Sequence, residues 1–122
     1  MSYTFSFEKL QVWHDARKLV ACLYQLSEKF PSNEKFGLTN QIRRAAVSIV
    51  SNIAEGSART SFKDQAHFYQ VAFSSNIEVL NQLIIAVDLN YISEVMLIDI
   101  RPDIEKVSNK LNSLRKSRFA GS

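Results

Sequence analysis

The chain has a single cysteine, Cys22, which rules out an internal disulfide framework and suits a reducing compartment. Cys22 lies within an apolar helical pattern with no base nearby, so it reads as a small core residue and not a nucleophile. Only three glycines and two prolines leave little room for long loops. No apolar run approaches the ~20 residues that a membrane helix requires. The opening MSYTFSF lacks both a charged n-region and a long apolar stretch, so no signal peptide is expected and a cytoplasmic protein is inferred. There is no glycine-rich phosphate loop, and no motif pairs a serine with histidine and aspartate, so nucleotide binding and hydrolysis find no support. Asp64 and His67 have the i, i+3 spacing of a di-iron bundle site, but that chemistry needs two Glu-x-x-His pairs and further inward carboxylates. With one imperfect copy present, neither metal nor cofactor is expected, and no catalytic residues are assigned.

What the 122 residues do contain, at 46% hydrophobic, is enough apolar material for one domain with a sizeable core. Residues 36–59, FGLTNQIRRAAVSIVSNIAEGSAR, are the richest stretch. At about 100° per residue, Ile42, Ala45, Ala46, Ile49 and Ile53 form one apolar stripe, the mark of a core-facing helix. Arg44, Ser48, Ser51 and Glu55 cluster opposite, and Val47, Val50 and Ala54 lie with Arg43 on a flank between the two. That apolar flank predicts a contact with another helix or another subunit. Gly56 supplies a position where φ > 0 is cheap, so the helix is expected to end there.

The pattern FGLT-x-QIRRAAVSI-x-SNIAEG-x-x-R resembles the signature of the 23S rRNA intervening-sequence proteins, a family of four-helix bundles. Upstream, Leu10, Val12, Trp13, Ala16, Leu19, Tyr24, Phe30 and Pro31 resemble that family's first helix, and Ser75, Glu78, Gln82 and Leu83 its third; the likeness spans about residues 5–115. Many relatives carry proline where this chain has Val50, whose backbone N–H suits an unkinked helix. The resemblance implies an antiparallel four-helix bundle assembled as a homopentamer without demonstrated enzymatic activity. The family is similar in turn to the accessory proteins of diversity-generating retroelements, basic pentamers implicated in nucleic-acid binding.

Taken in order, the chain reads as a single all-α domain over residues 1–122, an up-down-up-down bundle with helices at about residues 8–30, 37–56, 62–90 and 93–117. Val12, Ala16, Leu19, Leu23, Leu26 and Phe30 recur at spacings of four and three, a bundle seam. Ser61 with Asp64 is a capping-box-like start to the third helix. That helix carries a seam of Ala66, Tyr69, Phe73, Asn76, Leu80, Leu83 and Val87 and a second strip of Phe68, Ala72, Val79 and Ala86, which predicts a second set of neighbours. Asn76 needs a partner if it is buried. Ser93 can cap the fourth helix, whose seam is Leu97, Ile100, Ile104, Val107, Leu111 and Leu114. Pro102 within it predicts a kink, or a true start near Arg101. The tail from Arg118 is expected to fray.

The formal net charge is only +3, but its distribution is uneven. Residues 88–105 hold five acids against Arg101 alone, whereas residues 106–122 hold five bases and no acid. The candidate nucleic-acid-binding residues are therefore Arg44, Arg59, Lys63, Lys110, Arg115, Lys116 and Arg118, with Arg59 and Lys63 near a helix N-terminus that itself favours anions. Arg43, Asn52 and Glu55 are a candidate structural polar cluster that satisfies neighbouring helix ends. The function expected is a non-enzymatic oligomer that binds RNA or DNA electrostatically, the alternative being a protein-interaction scaffold.

Overall fold

The computed structural model describes residues 3–121, and side chains for residues 3–118. Four helices, α1 Gln11–Ser27, α2 Leu38–Ser57, α3 Phe62–Asp88 and α4 Glu94–Gly121, follow a short 3-10 turn, Ser6–Lys9, and there is no strand among the described residues. Each helix packs on its neighbours in sequence, and α4 closes back on α1. The result is a four-cornered antiparallel bundle. Val12, Ala16, Leu19 and Leu23 from α1, Ile42, Ile49 and Ile53 from α2, and Ile104, Val107 and Leu111 from α4 fill the buried centre as their spacing predicts.

Helix ends follow identifiable hydrogen bonds. α1 stops at Ser27, short of residue 30, because the Arg43 guanidinium on α2 donates to Tyr24 O at 3.2 Å and to Ser27 Oγ at 2.8 Å, taking up its last turn. α2 begins after Gly37, where the Glu34 carboxylate accepts the Leu38 N–H at 3.0 Å and the Tyr91 hydroxyl at 2.7 Å. A Cβ on Gly37 would sit 2.4 Å from Glu34 Oε1, so glycine keeps this cap possible. In α3 the Ser61 hydroxyl accepts the Asp64 N–H at 3.1 Å, forming the serine half of the expected box. The helix ends at Asp88, followed by Asn90 at φ 62°, with Tyr91 N–H bonded to Ala86 O and Asn90 N–H to Val87 O. This is a Schellman closure with asparagine in the left-handed position. Ser93 caps α4 through Met96 N–H at 3.2 Å.

Four expectations need correction. Cys22 is exposed on α1 and is not part of the core. Gly56 does not end α2: the helix runs on to Ser57, and among the described residues no glycine has positive φ. Its role is steric, since a Cβ there would lie 2.8 Å from Tyr69 Cε1 and 2.9 Å from Phe68 Cβ. The buried face of α3 includes the expected Ala66, Tyr69, Asn76 and Leu83 but extends onto the strip expected to lie outside. Ala72, Val79 and Ala86 are fully buried in this chain's own core and are unavailable as an outer strip, while Phe73 and Leu80 are only partly buried. α3 is apolar on most of its circumference, so spacing alone does not set the centre of its buried face; packing turns Ala72, Val79 and Ala86 inward beside the seam. Finally, α4 is one helix through Pro102 and neither restarts at Arg101 nor stops at residue 117. The carbonyl deprived of a donor belongs to Ile98, which is largely exposed and open to water.

Asn76 is fully buried and donates from Nδ2 to Ile104 O and to Ser108 Oγ, both at 2.9 Å, so it ties α3 to α4. The contact at Gly56 gives the sharpest test of this packing. Gly56→Ala should lower thermal stability by about 1–2 kcal/mol, because overpacking costs about 1–3 kcal/mol while alanine recovers up to about 1 in helix propensity. A thermal melt with an unchanged or raised midpoint would show that α2 and α3 are not in close contact here.

Candidate nucleic-acid interface

The antiparallel topology sets the start of α3 beside the end of α4, which turns a sequence-distant set of cations into one surface. Lys63, His67 and Gln70 on α3 face Arg115 and Lys116 on α4 across an open groove of about 460 Å³ floored by Ala66. Arg118 lies 5.9 Å from the ring centres of both Phe62 and Tyr69. Arg59 lies 4.4 Å from that of Phe68, and Arg115 5.5 Å from that of Phe73. The rings hold the guanidinium planes in place without neutralising them. Five of the seven candidate cations, Arg59, Lys63, Arg115, Lys116 and Arg118, therefore gather at one end of the bundle.

Electrostatics explains part of this arrangement without any ligand. The C-terminus of α4 carries partial negative charge, so Arg115, Lys116 and Arg118 complement it. The exposed N-terminus of α3 has the opposite polarity and favours an anion beside Lys63. Asp64 and Glu55 are also exposed at this end and moderate its field.

The other two candidates lie elsewhere. Lys110 contacts the Asp15 carboxylate directly, and Lys106 approaches the same group at 3.7 Å. Asp15 is buried on α1, and Gln11 donates to it at 3.1 Å. Burial alone would raise the Asp15 pKa; the bonds from Lys110 and Gln11 and the charges of both lysines outweigh it and hold the carboxyl below its usual range. Lys110 is thus engaged in locking α1 to α4. Arg44 lines a shallow groove between α2 and α3 with Gln41, Ser48 and Glu78, remote from the basic end.

The proposed polar cluster separates into parts. Arg43 serves the end of α1, as described, with its guanidinium carbon 4.8 Å from the Tyr24 ring centre. Asn52 donates to Ser48 O and Ser48 Oγ, and Ser48 Oγ pairs with Ser75 Oγ at 2.8 Å, which joins α2 to α3. Glu55 is exposed and has no hydrogen-bond partner among the described residues. Sequence reasoning passed over His67 and Gln70 as part of the basic groove, although their spacing from Lys63 on one helix face was the available signal. Among the described residues no group of three or more His, Cys, Asp or Glu side chains is placed to hold a metal ion, and no helix is long and apolar enough to cross a membrane.

An all-helical bundle with polar inter-helix ties and one cationic end defines the class. Residues 8–113 match the family model of the 23S rRNA-intervening sequence protein, and the chain belongs to that family. A crystal structure of a protein of unknown function from the S23 ribosomal protein family of Bacteroides thetaiotaomicron is similar in fold, with a TM-score of 0.79 at 22% identity, covering 86% of this chain and 98% of that one. No curated protein matches the chain. Neither the family nor the structural neighbour carries any indication of catalysis.

The buried carboxylate makes stability depend on pH. A depressed folded pKa means that Asp15 contributes fully above its unfolded value and that the contribution is lost as pH falls through the folded one. Glu34 acts in the same direction, held low by the Tyr91 hydroxyl and then by the Leu38 N–H. Stability should therefore fall on acidification below about pH 4. Asp15→Asn should cost about 1 kcal/mol at neutral pH, the lysine partners being half exposed, and should flatten the acid limb. Denaturant melts across this pH range check it, and an acid limb as steep in the variant as in the parent would contradict it.

Proposed function

We propose that the protein is a non-enzymatic homo-oligomer of the cytoplasm that binds RNA or DNA through the phosphate backbone at the basic end of each subunit. The observation that carries this reading is the convergence of Arg59, Lys63, Arg115, Lys116 and Arg118 where α3 begins and α4 ends. One subunit with a net charge of +3 would hold phosphates weakly. A ring repeats the surface, so that one strand meets several copies at high effective concentration. Among the described residues no element forms a module that reads base edges, so affinity should depend on salt far more than on base sequence.

Assembly draws its support from apolar side chains left on the outside. Val47 on α2 is 41% exposed, next to Val50 and Ala54, and Ile77 on α3 is 45% exposed on a stripe with Phe73, Leu80 and Ile84. Two unlike apolar faces on one subunit suit a head-to-tail ring better than a two-fold dimer, which joins one face to itself. The family resemblance favours a pentamer. Light scattering at micromolar concentration should give a mass several times 13.9 kDa, and a monomer would refute the assembly.

Charge reversal tests the binding surface. Arg115→Glu with Lys116→Glu, and separately Arg59→Glu with Lys63→Glu, should each weaken binding roughly tenfold or more at low salt and reduce the dependence of log K on log salt. Helicity and oligomeric mass should be unchanged, because these side chains are exposed or half-buried at the end of the bundle. Electrophoretic mobility measurements at two salt concentrations read the effect. No binding by the parent at low salt would leave a protein-interaction scaffold as the better account of the apolar faces.

A further inference from the structure

The same basic end carries three of the chain's exposed aromatic side chains. Phe62, the first residue of α3, is 43% exposed, with Arg118 near one side of its ring. Phe5 is 58% exposed and Tyr3 78%, their rings edge-on at 4.8 Å. The N-terminal segment is brought to this end by Ser6, whose hydroxyl bonds Ser57 O and Ser57 Oγ, both at 3.2 Å, at the close of α2. Phe5 N–H donates to Glu8 Oε1 at 3.0 Å, which fixes the ring's backbone. Burial does not account for these rings, since Phe5 and Phe62 are outside the core.

Building on the nucleic-acid reading above, we infer that the basic end is selective for single-stranded nucleic acid, with bases stacked on Phe62 and Phe5 and phosphates facing Lys63, Arg115 and Lys116. A duplex hides its base faces within its own stack, so exposed rings gain nothing from it. A single strand offers a π-face at every nucleotide, and the contact tolerates any sequence. Charge alone would prefer the duplex, whose phosphate density is higher and whose counterion release per contact is larger. A preference for the single strand must therefore come from the bases. The rings are held by a helix start and a tied segment, so little conformational freedom is lost on stacking.

The test uses the full chain in its native assembly and three probes of equal length, about 20 nucleotides: an unstructured single strand, the same phosphate backbone without bases, and a duplex. Fluorescence anisotropy should show the single strand bound roughly tenfold more tightly than the duplex. Phe62→Ala and Phe5→Ala should each weaken the base-bearing strand roughly fivefold or more and leave the base-free strand unaffected. Phe36→Ala serves as control, since Phe36 is 87% exposed beside Lys35 at the opposite end, and it should change nothing. Equal affinity for single strand and duplex with indifferent rings would overturn the inference while the electrostatic reading stands. A fall in oligomeric mass in Phe62→Ala or Phe5→Ala would also overturn it, by making the rings subunit contacts. Absence of binding to all three probes would remove the nucleic-acid reading together with it.

Discussion

The close approach of α2 and α3 is the constraint on which the remaining structure depends. Gly56 sits against the flank of Tyr69 and Phe68, while Ala45, Ala46, Ala72 and Ala86 are buried in the shared core. Small residues let two backbones come together, and that separation positions everything joined to either helix. The Ser48 to Ser75 hydroxyl pair fits only because the helices are near one another. Tyr69, fully buried beside Gly56, in turn presents its ring to Arg118 from α4. A packing detail at the centre of the motif thus reaches the basic end through one aromatic side chain.

Charge is managed by separation along the bundle. The acidic first half of α4 lies at the end where α1 closes and α2 opens, and its basic second half at the other. Between them, Asp15 spans α1 and α4 by holding Lys106 and Lys110, which uses two cations for structure. Of the cations left at the end of α4 and the start of α3, Arg59, Arg115 and Arg118 lie beside aromatic rings, and none of the five has a carboxylate as a salt-bridge partner among the described residues. They keep their charge available to a ligand. A modest net charge therefore conceals a strongly directional surface, and direction, more than total, governs encounter with a polyanion.

Much of the fold was legible because helix periodicity is local. The seams of α1, α2 and α4 and the caps at Ser61 and Ser93 could be read from spacing alone. On α3 the seam residues Ala66, Tyr69, Asn76 and Leu83 were legible, but the inward position of Ala72, Val79 and Ala86 was not, because apolar residues nearly encircle the helix and only contact with α2 and α4 selects how it turns. Gly56 shows a different limit: glycine near a helix end satisfies both a left-handed cap and a steric gap, and the partner that decides, Tyr69, is on another helix. The basic end was half visible. Arg115, Lys116 and Arg118 announced themselves as a run, but the diversion of Lys110 depends on Asp15, far away in sequence, and the arrival of Phe5 depends on a bond from Ser6 to Ser57.

On the function proposed above, nucleic acid would meet this protein at the end of the bundle and not along its sides. Hydrogen–deuterium exchange of the intact assembly, with and without a single-stranded oligonucleotide, reads that location directly. Backbone amides at the start of α3 and in the last turns of α4, residues 58–68 and 112–118, should gain protection, while the acidic opposite end, residues 94–103, should be unchanged. Protection confined to the α2 face around Arg44, or to the acidic end, would contradict the account.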